Sequence, residues 1–109
     1  MTIDPQTQAS RILSEAITAY LQASKALASA SERASQTSMG MDGAARRAAY
    51  QALTELGDRV RLAQRNVVQV AQKVRRVLPP ADIEAIAKKL DGRDSLDSAP
   101  LLVKTALAS

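Results

Sequence analysis

Two runs of apolar residues, each at alternating spacings of four and three, constrain this chain more than any other feature. The first is Ala9, Leu13, Ala16, Tyr20, Ala23, Leu27, Ala30 and Ala34; the second is Ala49, Leu53, Leu56, Val60, Ala63, Val67, Val70, Val74 and Val77. Their average spacing of about 3.5 residues gathers every member on one side of a helix, as in a coiled-coil seam, and no strand can do this. The segment from Ser38 to Gly43, rich in Gly, Met and Asp, separates the two stripes and is short enough to return the chain as an antiparallel hairpin. Ile12, Ile17 and Leu21 on the first helix, and Leu62, Val68, Ala71 and Leu78 on the second, widen the stripes beyond a two-position seam. A stripe that wide calls for more than one neighbour.

The helix ends can also be read in the chain. Asp4 before Pro5 is a cap followed by the residue best tolerated in a first turn, with Ile3 placed as a hydrophobic staple. Asp42 is placed to cap the second helix, which must stop at Leu78 because Pro79 has no amide to donate and disfavours helical dihedrals in the residue before it. Pro80 opens a third helix with Asp82 and Glu84 near its positive end and Lys88 and Lys89 near its negative end, and Gly92 closes it. A last apolar piece, Pro100 to Leu107, reads as one short helix that docks on the hairpin. The prediction is therefore an all-α chain and a single domain over residues 1–109. A long hairpin (helices over about 5–37 and 43–78) is followed by one or two short C-terminal helices (about 80–91 and 99–107), in a coiled-coil-like bundle.

The chain has no Phe or Trp, and its two aromatics are Tyr20 and Tyr50, both read as core anchors with a wet hydroxyl. Its core must then be built from Ala, Leu, Val and Ile. Alanine lets backbones approach closely, but it removes less apolar surface from water than leucine does, by roughly 0.8 kcal/mol per methylene-sized step. A two-helix rod about 50 Å long exposes much of its apolar flank. Three things could cover it: the chain's own short helices, a second copy, or a different protein. Self-association is the favoured expectation.

Cysteine and histidine are both absent. Without them there is no disulfide, no Cys or His zinc site, no Cys nucleophile and no Ser-His-Asp arrangement. Asp91, Asp94 and Asp97 are spaced by three, unlike the one-three-five spacing of a calcium loop, and read as solvated loop and helix caps. Gly40 and Gly43 lack the following Lys-Ser or Lys-Thr of a phosphate loop and read as turn residues. No enzyme, cofactor, metal site or small-molecule substrate is expected.

Charge separates the two arms. Residues 1–38 balance three bases with three acids, whereas residues 39–78 carry eight bases (seven Arg and Lys73) against three acids. With Val60, Val67 and Val74 on the seam, Arg47, Arg61, Arg65, Arg75 and Arg76 fall on the far side of the second helix, and Arg59 and Lys73 fall beside the seam. The bland reading of this ridge is a solvated face that keeps the rod soluble. The preference for arginine, whose planar guanidinium forms paired contacts with carboxylate or phosphate, favours recognition of an anionic partner. No aromatics are interleaved for stacking on single strands, so nucleic-acid binding would take the form of phosphate contacts with a duplex or structured RNA.

No basic-then-apolar leader and no transmembrane run is present in the sequence, which predicts a cytoplasmic protein, with secretion by a route that needs no signal peptide left open. A helical hairpin near one hundred residues, with a Gly-containing turn followed by Ala45, Ala48, Ala49, Tyr50 and Gln51, resembles the WXG100 class of small secreted helical proteins. That resemblance implies a dimeric hairpin exported through a specialised secretion system. The chain departs from the class at the turn, where Met41-Asp42-Gly43 or Ser38-Met39-Gly40 stands in place of Trp-x-Gly, and no Tyr-x-x-x-Asp tail follows.

Together these readings predict a non-catalytic helical interaction module: a scaffold, adaptor or small subunit that is a homo-oligomer or is completed by a protein partner. Its assembly seam is Leu13, Tyr20, Leu27, Leu53, Leu56, Val60, Val67 and Val74. Arg47, Arg61, Arg65, Lys73, Arg75 and Arg76 are left to meet an anionic partner. A nucleic-acid-binding small subunit and a secreted WXG100-like hairpin are the alternatives.

Overall fold

The computed structural model describes residues 4–37, 42–93 and 98–108. Four helices follow one another: α1 (Pro5–Thr37), α2 (Gly43–Val74), α3 (Pro80–Asp91) and α4 (Ala99–Ala108), with no strand among the described residues. The all-α hairpin is the architecture that the apolar period predicts, and the C-terminal segment, expected as one or two short helices, forms two.

Local chemistry accounts for most of the boundaries. The Asp4 carbonyl accepts the Gln8 amide at 2.9 Å, so Pro5 sits in a first turn that has no use for its missing N–H. Ile3, the predicted staple, lies outside the described residues. Asp42 is extended (φ −74°, ψ 174°) and its carboxylate accepts the Ala45 amide at 2.8 Å, making it the α2 N-cap. Gly43, read as a turn residue, is instead the first residue of α2; Gly40 lies outside the described residues. Pro79 is extended with Pro80 behind it at the start of α3, and the Pro79 carbonyl accepts the Asp82 and Ile83 amides at 3.0 and 3.2 Å. Gly92 ends α3 at φ 70°, a left-handed conformation that glycine adopts without a Cβ penalty.

One boundary differs from the sequence expectation. Instead of continuing to Leu78, α2 ends at Val74 and the chain turns tightly, with the Val77 and Leu78 amides both donating to the Val74 carbonyl at 3.0 and 2.8 Å. Pro79 disfavours helical dihedrals at Leu78, and the chain leaves α2 through this tight turn with Leu78 entering the core at 6% exposure. Val77, the last residue of the predicted stripe, is left 41% exposed.

The core lies at one end of the hairpin. It joins Leu13, Ile17 and Tyr20 of α1 to Val67, Ala71 and Val74 of α2, Ile83 and Ala87 of α3, and Ala99, Val103 and Ala106 of α4. Among the described residues, every buried residue of α1 lies at or before Tyr20, and every buried residue of α2 at or after Val67. The short link through Pro79 forces α3 to begin beside the C-terminal end of α2. Twelve- and ten-residue helices, about 18 and 15 Å long, then cover only the base of helices about 50 Å long. Alanines on all four helices let the backbones approach, while Tyr20, Leu13, Ile17, Ile83, Val67 and Val103 are the largest fully buried apolar side chains, the aliphatic ones contributing about 1.5–3 kcal/mol each.

Polar groups tie the short helices down. The Gln72 amide nitrogen donates to the Ala106 carbonyl at 3.4 Å, linking α2 to the end of α4. Buried Ser98 accepts the Leu101 amide on its hydroxyl and the Leu102 amide on its carbonyl, starting α4. Among the described residues no buried side-chain nitrogen or oxygen lacks a partner.

Beyond the base the molecule is a two-helix arm. It measures 56 × 31 × 22 Å with a radius of gyration of 17.0 Å, against about 13 Å for a compact chain of this length. Its accessible surface of 7655 Å² likewise exceeds the roughly 5,800 Å² usual for a compact 11.6 kDa monomer. Among the described residues no helix is long and apolar enough to cross a membrane.

Candidate functional site

The predicted assembly seam is divided by the fold. Leu13, Tyr20, Val67 and Val74 are buried at the base, whereas Leu27, Leu53, Leu56 and Val60 are only half-buried along the arm. The helical period treats all eight alike; what separates them is whether α3 and α4 reach them. The stripe-widening residues divide further. Ile17, Ala71 and Leu78 are buried, and Leu21 and Val68 pack against the core, while Ile12 is 39% and Leu62 62% exposed. Tyr50 corrects an expectation. Read as a core anchor like Tyr20, it is 69% exposed, because it lies off the spacing of Ala49 and Leu53 and beyond the reach of the short helices.

Where the α3–α4 layer stops, a groove opens between α1 and α2 with a volume of about 620 Å³. Leu27, Leu53 and Val60 form its apolar floor, and Ser24, Ala28 and Ser31 of α1 form a low wall of small side chains. Gly57 of α2 stands opposite; a Cβ added there would meet only the end of Arg61, at 4.0 Å, so nothing in the fold requires glycine at this place. Tyr20, itself a core residue, and Arg93, from the α3–α4 connection, both line the groove. It therefore continues the core face on the side of the hairpin that α3 and α4 occupy.

Arg93 was not singled out in the sequence, and its position depends on Asp91. The Asp91 side chain is 2% exposed and bonded on both oxygens. One accepts Arg93 Nε at 2.6 Å, while the other accepts Arg93 Nη2 at 3.4 Å and the Ala99 amide at 2.6 Å. Burial alone would push this carboxyl up; the hydrogen bonds from Arg93 and the Ala99 amide, with the Arg93 charge, outweigh it and hold the group below its ordinary value. Asp91, read as a solvated loop or cap residue, is thus a buried clamp that caps α4 from eight residues upstream and fixes Arg93 at the groove's end. Asp94 and Asp97 lie outside the described residues. Among the described residues no three carboxylates gather as a metal site would require.

The predicted anionic-partner residues, Arg47, Arg61, Arg65, Lys73, Arg75 and Arg76, are all exposed. Arg61 also lines the groove and pairs with Asp58 at 3.6 Å. With both side chains more than half exposed, that pair adds little to stability. A smaller crevice of about 220 Å³ between α3 and α4 sets Lys88, Lys104 and Arg93 around Glu84. Compared with family models, curated proteins and solved structures, the chain matches none of them.

Proposed function

We propose that this protein is a non-catalytic helical interaction module, a scaffold, adaptor or small subunit whose arm offers an unfinished apolar seam to a partner. The observation that carries this reading is a change along the seam: Leu13, Tyr20, Val67 and Val74 are buried at the base, whereas Leu27, Leu53, Leu56 and Val60 are half-buried along the arm. Covering that stretch would remove apolar surface from water at about 25 cal/mol per Å² without rebuilding the base. A photo-crosslinking residue at Ala28, in the groove wall, tests the reading in the producing cell, with Leu62 as an exposed control position. A discrete crosslinked protein species is expected from position 28 and not from 62; equal or absent crosslinking at both defeats the reading.

The exposed arginines support a second reading, phosphate contacts with duplex or structured RNA by a small nucleic-acid-binding subunit. Changing Arg61, Arg65, Arg75 and Arg76 to Gln should then lower the salt dependence of binding by about three to four units of log–log slope. Binding that is absent or insensitive to salt removes it.

A further inference from the structure

We propose that the occupant of the groove is a second copy of this chain, turned end for end. In this arrangement α1 packs antiparallel on α1 of the other copy around Ala28, and the two arms form one four-helix section between two basal cores. This rests on the interaction-module reading and names its partner.

Three observations on different scales carry it. The first is area: the chain exposes about 1,800 Å² more than is usual for a compact monomer of its mass, so it has surface to spare for the roughly 800 Å² per partner that a standard stable interface buries. The second is shape. Because α3 and α4 stand on the groove side, two copies packed in the same direction would bring their α3–α4 layers into collision. Two copies in opposite directions place each arm in the open space past the end of the other's short helices. The wall of Ser24, Ala28 and Ser31, at helical spacings of four and three, is low enough for a second α1 to approach closely.

The third is charge. Lys25 and Glu32 lie three residues before and four after Ala28, so all three share one face of α1, and both charged side chains are exposed. A two-fold arrangement that reverses direction about this point sets Lys25 of each copy beside Glu32 of the other, twice. A same-direction arrangement would set Lys25 against Lys25 and Glu32 against Glu32. An isologous contact requires a self-complementary patch, and the face centred on Ala28 has one only when the copies are reversed.

Sedimentation equilibrium of the full chain from micromolar to millimolar concentration should show the mass rising from 11.6 kDa to twice that value. Lys25→Glu and Glu32→Lys should each weaken dimerisation about 10-fold, with helicity unchanged because both sites are exposed, and the double reversal should restore it. The chain has no cysteine of its own, so direction can be read from introduced thiols. Ser24→Cys protein mixed with Ser31→Cys protein should form a disulfide across the two in preference to either with itself. A strictly monomeric chain, a dimer indifferent to the charge reversals, or preferential 24-to-24 linkage overturns the proposal. A monomer that still crosslinks from position 28 to a different protein overturns the second copy and leaves the interaction module standing, whereas a monomer that crosslinks to nothing ends both.

Discussion

Gly57 should be a site where a single added methyl stabilises the protein. It lies inside α2, fourteen residues beyond Gly43, where a helical glycine costs about 1 kcal/mol relative to alanine through the backbone freedom it loses. Whether alanine recovers that cost depends on the space available to its Cβ. Here the new atom would meet only the Arg61 Nη2 at 4.0 Å, the far end of a flexible side chain, and it would point into the open groove. No packing penalty offsets the propensity gain. Because the groove is open, the methyl also gains little burial, so Gly57→Ala should stabilise the monomer by about 1 kcal/mol in total. For a chain of this size that raises the melting temperature by about 4 °C and moves the urea midpoint upward with an unchanged slope. The measurement belongs at low micromolar concentration, where association contributes least. A lower melting temperature would refute the reasoning, because it would mean that something packs against α2 at Gly57.

The same substitution at Gly92 should act in the opposite direction. Gly92→Ala places a side chain at φ 70° and should cost about 1 kcal/mol by thermal melting, although the nearest atom, the Lys88 carbonyl oxygen at 3.9 Å, leaves the Cβ room. Leu13→Ala at the fully buried base should cost about 3 kcal/mol in urea unfolding and Leu27→Ala in the half-buried arm about 1 kcal/mol; equal costs would mean that the arm is covered in the monomer. Asp91→Asn removes an ionised cap acceptor and should destabilise the fold by about 1–2 kcal/mol at neutral pH. Since the folded Asp91 carboxyl titrates below its ordinary 3.8, its contribution is present above that pH and is lost as the pH falls through the lower folded value. The difference between wild type and Asp91→Asn should therefore narrow on acidification below about pH 3.8 and stay constant from pH 5 to 7.

Residues that act through their immediate neighbours were legible in the chain. Asp42 caps α2 three residues away, Pro80 opens α3, and Gly92 closes it, since each works through backbone geometry within one turn. Contacts made at a distance were not. The Asp91 carboxylate bonds to Ala99 across a connection of unspecified shape, and no local pattern distinguishes it from a solvated aspartate. Arg93, a single arginine after a helix, gave no sign that it would close one end of a groove. Tyr20 sits on the first stripe and Tyr50 one residue off the second, a difference the spacing does show; that Tyr20 would be 0% and Tyr50 69% exposed also depended on how far α3 and α4 reach.

The sequence by itself determined an all-α chain, the long hairpin and the apolar stripe on each of its two helices, because the helical period and the caps are written into consecutive residues. The tertiary structure decided which half of one continuous stripe became core and which became surface. The physical reason is length: α3 and α4, tied to the base by the Pro79 turn, are too short to cover helices of 33 and 32 residues. The apolar seam therefore continues past them into the open groove beside Arg93.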